Sequence, residues 1–149
     1  MKTVSAYLNV SDSRAALEFY ATVFGATEIG PTITMADGGI AHTETQIGAS
    51  VVMLADSSEE WGNKCPKTLG GTPVSLNVVM EDVDATIATA VENGAEILIP
   101  VADQFYGIRQ GRIRDPFGHE WVVSKLIEEV SEEEMQRRCD ELFGGGGES

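Results

Sequence analysis

The pattern of apolar and polar positions repeats itself halfway along the chain. "YLNVSDSRAALEFYATVFGATEI" and "SLNVVMEDVDATIATAVENGAEIL" share Leu-Asn-Val, a helical stretch and a Gly-Ala that leads into a strand, with Leu8 matched by Leu76 and Gly25 by Gly94. Two copies of one structural unit are implied. In the first, Ala15, Ala16, Phe19, Tyr20 and Val23 recur at helical spacing behind Ser11 and Asp12, which carry N-cap chemistry, and Gly25 supplies the stop. In the second, Val83, Ile87, Ala90 and Val91 do the same after Asp82, ending at Asn93-Gly94. Each helix has one apolar face to bury.

Three strand-like runs follow each helix, over 27–35, 40–47 and 50–56, then over 95–101, 108–114 and 119–126. The unit is therefore β-α-β-β-β, and the fold class α+β, with modules over about 3–56 and 73–126 joined by a polar, Gly- and Pro-rich linker over 57–72. Both modules belong to one domain spanning 1–135.

Alternation predicts which face of each strand meets the helices. Val4, Ala6, Leu8 and Val10 oppose Ser5, Tyr7 and Asn9; Val74, Leu76, Val78 and Met80 oppose Ser75, Asn77 and Val79. The first set of each packs under the helices, and the second lines a concave surface. In "HTETQIGASVVML" a two-residue turn at Gly48-Ala49 pairs Gln46 with Val51, Glu44 with Met53 and His42 with Ala55. That register puts His42, Glu44, Gln46 and Met53 on the concave side and Thr43, Thr45, Val52 and Leu54 under the helix. In "RIRDPFGHEWVV", Asp115 suits an Asx-turn, Pro116 fixes φ and Gly118 tolerates positive φ. A regular hairpin through all four residues of this turn pairs Arg112 with Trp121 and Arg114 with His119, bringing Trp121 to the cleft and turning Glu120 away.

Composition narrows the function. The 149 residues carry a formal charge of −14, with Lys and Arg never in a long run, which excludes nucleic acid and anionic membrane as partners. Apolar runs such as "AEILIPVA" are too short to span a bilayer, and "MKTVSAYLNV" has no signal-peptide architecture, so a cytoplasmic location is expected. Cys65 and Cys139 lie far apart without metal-ligand spacing and read as plain thiols. At the acidic end, 131–149, Ser131 and Glu134 have the spacing of a capping box for a short helix, followed by a flexible Gly-rich tail.

"YLNV…FYATVFGA", "VENGAEI" and "RDPFGHEW", in this order and over tandem βαβββ units, resemble the glyoxalase/bleomycin-resistance/dioxygenase superfamily, also called vicinal oxygen chelate. "HTETQIGASVVMLAD", "CPKTLGGTPVSLNV", "PVADQFYGIRQGRIRDPFGHEW" and "EEVSEEEM" look like its PhnB-like branch. The resemblance implies a U-shaped sheet in each half around a cleft, usually completed in a homodimer. It also implies a metal ligand on each of four strands, at positions that fall here on Ser5, Met53, Ser75 and Val123. Two hydroxyls, a thioether and a valine make a poor donor set, so no cofactor is expected.

Three readings of function follow. The first is a metal-free cleft that binds a small aromatic or amphipathic molecule. Tyr7, Phe105, Tyr106 and Trp121 would stack on it, with Asn9, Asn77, Met53, Arg109 and Arg112 orienting it. The second is a metal-dependent lyase, isomerase or dioxygenase with displaced ligands His42, Glu44 and His119. The third uses Glu44 or His42 as a general base without metal. Phe105-Tyr106-Gly107 reads as a loop that moves over the cleft or as a dimer contact.

Overall fold

A computed structural model describes residues 3–144. The Gly-rich tail expected beyond that point lies outside the described residues. The first module contains β1 (Ala6–Val10), α1 (Ser13–Phe24), β2 (Thr27–Glu28), β3 (Ile33–Thr34), β4 (Ile40–Ile47) and β5 (Ser50–Asp56). A four-residue helix, α2 (Pro66–Leu69), interrupts the linker. The second module contains β6 (Ser75–Val79), α3 (Val83–Glu92), β7 (Glu96–Asp103), β8 (Ile108–Arg114) and β9 (Glu120–Leu126), and α4 (Glu132–Cys139) follows, continuing into a π-helical turn, Asp140–Gly144. No helix among the described residues is long and apolar enough to cross a membrane.

The repeat is visible in the pairing. The first sheet runs β1-β5-β4-β2, with β3 pairing β4, and the second runs β6-β9-β8-β7. In both, the first strand lies parallel to the last, and the remaining pairs are antiparallel. Among the described residues the outer edges of β1 and β6 carry no partner strand. The expected strand over 27–35 is two short pieces, because Gly30, at φ 67°, and Pro31 interrupt the ladder.

Both long helices begin as their sequences dictate. Asp12 accepts from the Ala15 amide at 3.1 Å and Asp82 from the Ala85 amide at 3.0 Å. α1 ends at Gly25 in the left-handed region. Their apolar faces meet the undersides of both sheets in one core, which includes Leu8, Val10, Phe19, Tyr20, Leu54, Ile87, Ile113, Trp121 and Val123.

Asp115 closes the seam between the modules. Its Oδ2 accepts from the Tyr20 hydroxyl at 2.6 Å and from the Trp121 indole N–H at 2.9 Å, and its Oδ1 from the amides of Phe117 at 2.9 Å and His119 at 3.0 Å. Four donors satisfy a carboxylate that is only 3% exposed, which offsets its desolvation. Burial first, and then the Asp115 charge, hold the Tyr20 hydroxyl well above its ordinary pKa.

The β8–β9 turn corrects the expected register. The Asp115 amide donates to His119 O at 2.8 Å and the Gly118 amide to Asp115 O at 3.0 Å, so the closing pair is Asp115 with His119. Only Pro116, Phe117 and Gly118, at φ 92°, form the loop. Arg112 therefore pairs with Val122, Ile113 with Trp121 and Arg114 with Glu120. One residue of slip reverses every side chain of β9. Trp121 enters the core at 2% exposure, and Glu120 joins the face of Arg112 and Arg114.

Candidate functional site

On the first module the expected concave face is present. Gln46 pairs with Val51 and Glu44 with Met53, and Thr43, Thr45, Val52 and Leu54 are buried on the helix side. Tyr7 is also paired with Met53, so Tyr7, Met53 and Glu44 form one row across β1, β5 and β4. His42 joins them. Its Nδ1 lies 2.7 Å from the Tyr7 hydroxyl and its Nε2 2.8 Å from Glu44 Oε2. An ionised carboxylate only accepts, so Nε2 carries the ring proton and donates to Glu44. In the neutral ring Nδ1 is then a lone pair, and the Tyr7 hydroxyl donates to it. Burial first, and then the Glu44 charge, raise the Tyr7 pKa.

On the second module the concave face carries Ser75, Asn77, Gln110, Arg112, Arg114, Glu120, Val122 and Ser124, through the pairs Ser75–Glu120, Asn77–Val122, Arg112–Val122 and Gln110–Ser124. Asn77 accepts from the Ser124 hydroxyl at 2.9 Å, and Gln110 donates to the Tyr106 hydroxyl at 2.7 Å. The Arg112 guanidinium has Glu120 4.0 Å away, beyond hydrogen-bond range. Sequence reasoning missed Gln110 on β8 and, on β9, Glu120, Val122 and Ser124. For the three on β9 the signal was the glycine of Asp-Pro-Phe-Gly, which in a three-residue loop takes the left-handed position and sets the register.

A groove of about 810 Å³ runs along the unpaired edges of β1 and β6. Ser5, Ile47, Val52, Asn77, Val79 and Met80 are among its lining residues, and the buried ring of Trp121 reaches its floor. Ser5, Val51, Asn77 and Val79 reach it from the concave faces, and Ala6, Val52, Leu76 and Met80 from the helix side; Tyr7 stands on the concave face of β1 two residues beyond Ser5, outside the groove lining.

The other expected contacts fall elsewhere. Arg109 lies on the helix side, with Nε and Nη2 each donating to the Asp84 carboxylate at 2.9 Å and Nη1 to Asp103 at 2.7 Å. It anchors the start of α3, on the face of β8 opposite the one that carries Arg112 and Arg114. Phe105 and Tyr106 do not form a free loop. Phe105 packs edge-on against Phe143, its carbonyl accepts from Arg138 at 2.8 Å, and the Ile127 and Glu128 amides donate to Gly107 O at 2.9 and 3.1 Å. The acidic end forms the expected helix, with the Ser131 hydroxyl accepting from the Glu134 amide at 3.1 Å, and docks on this loop. Asn9 sits on the concave strand face, and its carbonyl accepts from His119 Nε2 at 3.0 Å.

His119 is thus spent on a link between modules, and His42, Glu44 and His119 do not converge. Among the described residues no group of three or more His, Cys, Asp or Glu is placed to hold a metal ion. Of the four positions at which the resemblance implies ligands, Ser5, Met53 and Ser75 lie on concave strand faces. Val123 does not; it is fully buried under the helices, and Val122 is the side chain that faces outward. Correcting that position leaves two hydroxyls, a thioether and an aliphatic group, which do not fit a divalent ion.

Tandem βαβββ modules, each with a helix under a curved sheet and a polar concave face, define a class of small-molecule-binding and catalytic folds. The chain belongs to the Glyoxalase/Bleomycin resistance protein/Dioxygenase superfamily, whose sequence model matches residues 3–123. It is 37% identical over 136 residues to Uncharacterized protein Mb0911c of Mycobacterium bovis, covering 89% of each chain. Among solved structures it resembles TioX from Micromonospora sp. ML1, at 26% identity and a TM-score of 0.62, covering 87% of this chain and 100% of that one. The fold alone is shared with a PhnB protein from Bacillus cereus, at 17% identity and a TM-score of 0.66, over 83% of this chain and 99% of the other.

Proposed function

We propose that the protein binds a small aromatic or amphipathic molecule on its concave surface without a metal ion. The observation that carries this reading is the groove of about 810 Å³ between β1 and β6, whose lining is mostly apolar with a few polar groups such as Ser5 and Asn77. That volume is in the range of small-molecule sites, and the mixture suits a ligand with a planar apolar body and a polar end. Asn77 supplies an amide within the groove, and beyond it on the concave faces Tyr7 offers an aromatic ring and Arg112 a cation to an acidic group. The poor donor set at the family's ligand positions favours this reading over a metal-dependent lyase, isomerase or dioxygenase.

A homodimer belongs to the same proposal. Along the edges of β1 and β6, unpartnered among the described residues, Val74 is exposed beside Val4 and Val79, which also line the groove, so a second copy would cover the edges and close the groove together. Sedimentation velocity tests this part: a dimer is expected, and a monomer at all concentrations overturns it.

Ligand binding is tested by a thermal-shift screen of planar aromatic acids, phenols and amphiphiles. A saturable stabilisation is expected for at least one class, lost in Val79→Trp, whose indole would occupy the groove. The reading fails if no compound stabilises the protein, or if Val79→Trp and the natural protein respond alike.

A further inference from the structure

The binding reading asks only that Tyr7, His42 and Glu44 stand on the concave face; it does not require them to touch. They nevertheless form a continuous chain, 2.7 Å from the Tyr7 hydroxyl to His42 Nδ1 and 2.8 Å from His42 Nε2 to Glu44. The two ends of the chain differ in exposure. Tyr7 is 47% exposed, while the side chains of His42 and Glu44 are 20% and 23% exposed. One end is open to a ligand and the other is largely covered.

We propose that Tyr7, His42 and Glu44 form a metal-independent acid–base site in which the Tyr7 hydroxyl accepts the proton of an acidic O–H, a phenol or an enol, on the bound molecule. This rests on the proposal that a ligand occupies the concave face. The Glu44 carboxylate holds the His42 ring with its proton on Nε2, which leaves Nδ1 as the base. Tyr7, whose hydroxyl is the group within a ligand's reach, acts as the bridge. As the ligand O–H bond breaks, its electron pair stays on the ligand oxygen and its proton passes to Tyr7 Oη. The Tyr7 O–H bond breaks in turn, and that proton passes to His42 Nδ1. The products are a ligand phenolate or enolate and a His42 imidazolium facing the Glu44 carboxylate, so charge and protons balance without an oxidant or co-reactant.

Two features support Tyr7 as bridge instead of resting base. Burial and the Glu44 charge raise its pKa, so the hydroxyl rests with its proton on and has one to pass to His42 as the ligand's proton arrives, staying neutral throughout. Its ring also lies 5.5 Å from the imidazole, centroid to centroid, at an interplanar angle of 59°, so the two rings present one aromatic surface to a planar ligand. Glu44 touches neither ligand nor reacting proton. It is a positioning residue.

The test uses 4-nitrophenol, whose ionised form is coloured, in buffer acidic enough that the free phenol is mostly neutral. Equilibrium dialysis measures binding, and absorbance measures ionisation of the bound probe. Binding is expected with an ionised-to-neutral ratio raised about tenfold over the free probe, equivalent to one pKa unit. Tyr7→Phe and His42→Gln are expected to bind the probe without that rise. Equal ionisation in the natural protein and Tyr7→Phe overturns the acid–base site while leaving the binding reading intact. Failure of the probe to bind overturns phenols and enols as the ligand class. The role of Glu44 has a separate readout. His42 and His119 are the only histidines in the chain, so nitrogen-15 spectra resolve both rings. His42 is expected as the Nε2–H tautomer, and Glu44→Leu is expected to redistribute it; an Nδ1–H tautomer in the natural protein overturns the relay.

Discussion

Tyr20 and Asp115 meet at 2.6 Å in the buried seam between the modules, joining α1 of the first to the β8–β9 turn of the second. Tyr20→Phe leaves the Asp115 carboxylate one donor short and is expected to cost about 1–3 kcal/mol. Asp115→Ala strands the Tyr20 and Trp121 donors and two amides, and is expected to cost about 3–5 kcal/mol. Denaturant melts rank the two. Because the folded Tyr20 pKa is raised, its contribution is present below about pH 10, the ordinary tyrosine value, and is lost as pH rises through the folded one. Tyr20→Phe is therefore expected to flatten the alkaline limb of the stability curve.

Gly107, at φ 87°, lies against the backbone of the segment leading to α4, where an added Cβ would collide with the Glu128 carbonyl oxygen. Gly107→Ala is expected to lose about 2–4 kcal/mol and to push residues 127 and 128 off the loop. Hydrogen exchange reads both effects. Faster exchange confined to residues 127–139 marks local release, and unchanged exchange there would refute the close approach.

Arg138 clamps α4 to the body, donating from Nη1 to Phe105 O at 2.8 Å and to Glu128 at 3.1 Å, and from Nε to Glu134 at 2.8 Å. Hydrogen bonds from Arg137 first and then Arg138 hold the Glu134 carboxyl down at about 2, and those from Arg138 lower Glu128. A depressed carboxyl pKa makes the clamp fully effective above the ordinary Glu value of about 4.3 and weaker as pH falls toward 2. The Arg138 Nε–H resonance is expected to keep its bound shift at about pH 4 and to move only below that. Arg138→Met should show the released shift pattern for α4 at neutral pH.

Divalent ions offer a direct test of the donor set at Ser5, Met53, Ser75 and Val122. Titration with Zn²⁺, Mn²⁺ or Ni²⁺ is expected to give no saturable thermal shift, with His42→Ala and Glu44→Ala indistinguishable from the natural protein in this assay. A stoichiometric ion whose stabilisation disappears in both variants would reinstate a displaced metal site.

The candidate site was legible in the sequence where its signals were local. Gly48-Ala49 closes β4 and β5 with two residues, so period-two alternation placed His42, Glu44 and Met53 on the correct face. The Tyr7–His42 bond was not legible, because it spans 35 residues and crosses β5 on the diagonal. The placement of Arg109 was hidden for a related reason: three basic residues in "GIRQGRIRDP" look alike in sequence, but Arg109 faces α3 while Arg112 and Arg114 face the cleft. Phe105 and Tyr106 read as a moving loop or a dimer contact because the helix that docks on Phe105 lies some 30 residues further along the chain.

By itself the sequence determined the two βαβββ modules, their helix caps and the first concave face, since each depends on residue type and short-range period. Only the tertiary structure decided what Trp121, Glu120 and Val122 do. Asp115 serves at once as the closing pair of a three-residue loop and as the acceptor for Tyr20 from the other module, and that long-range bond accompanies the one-residue shift that turns Trp121 inward and leaves Val122 where a ligand would stand.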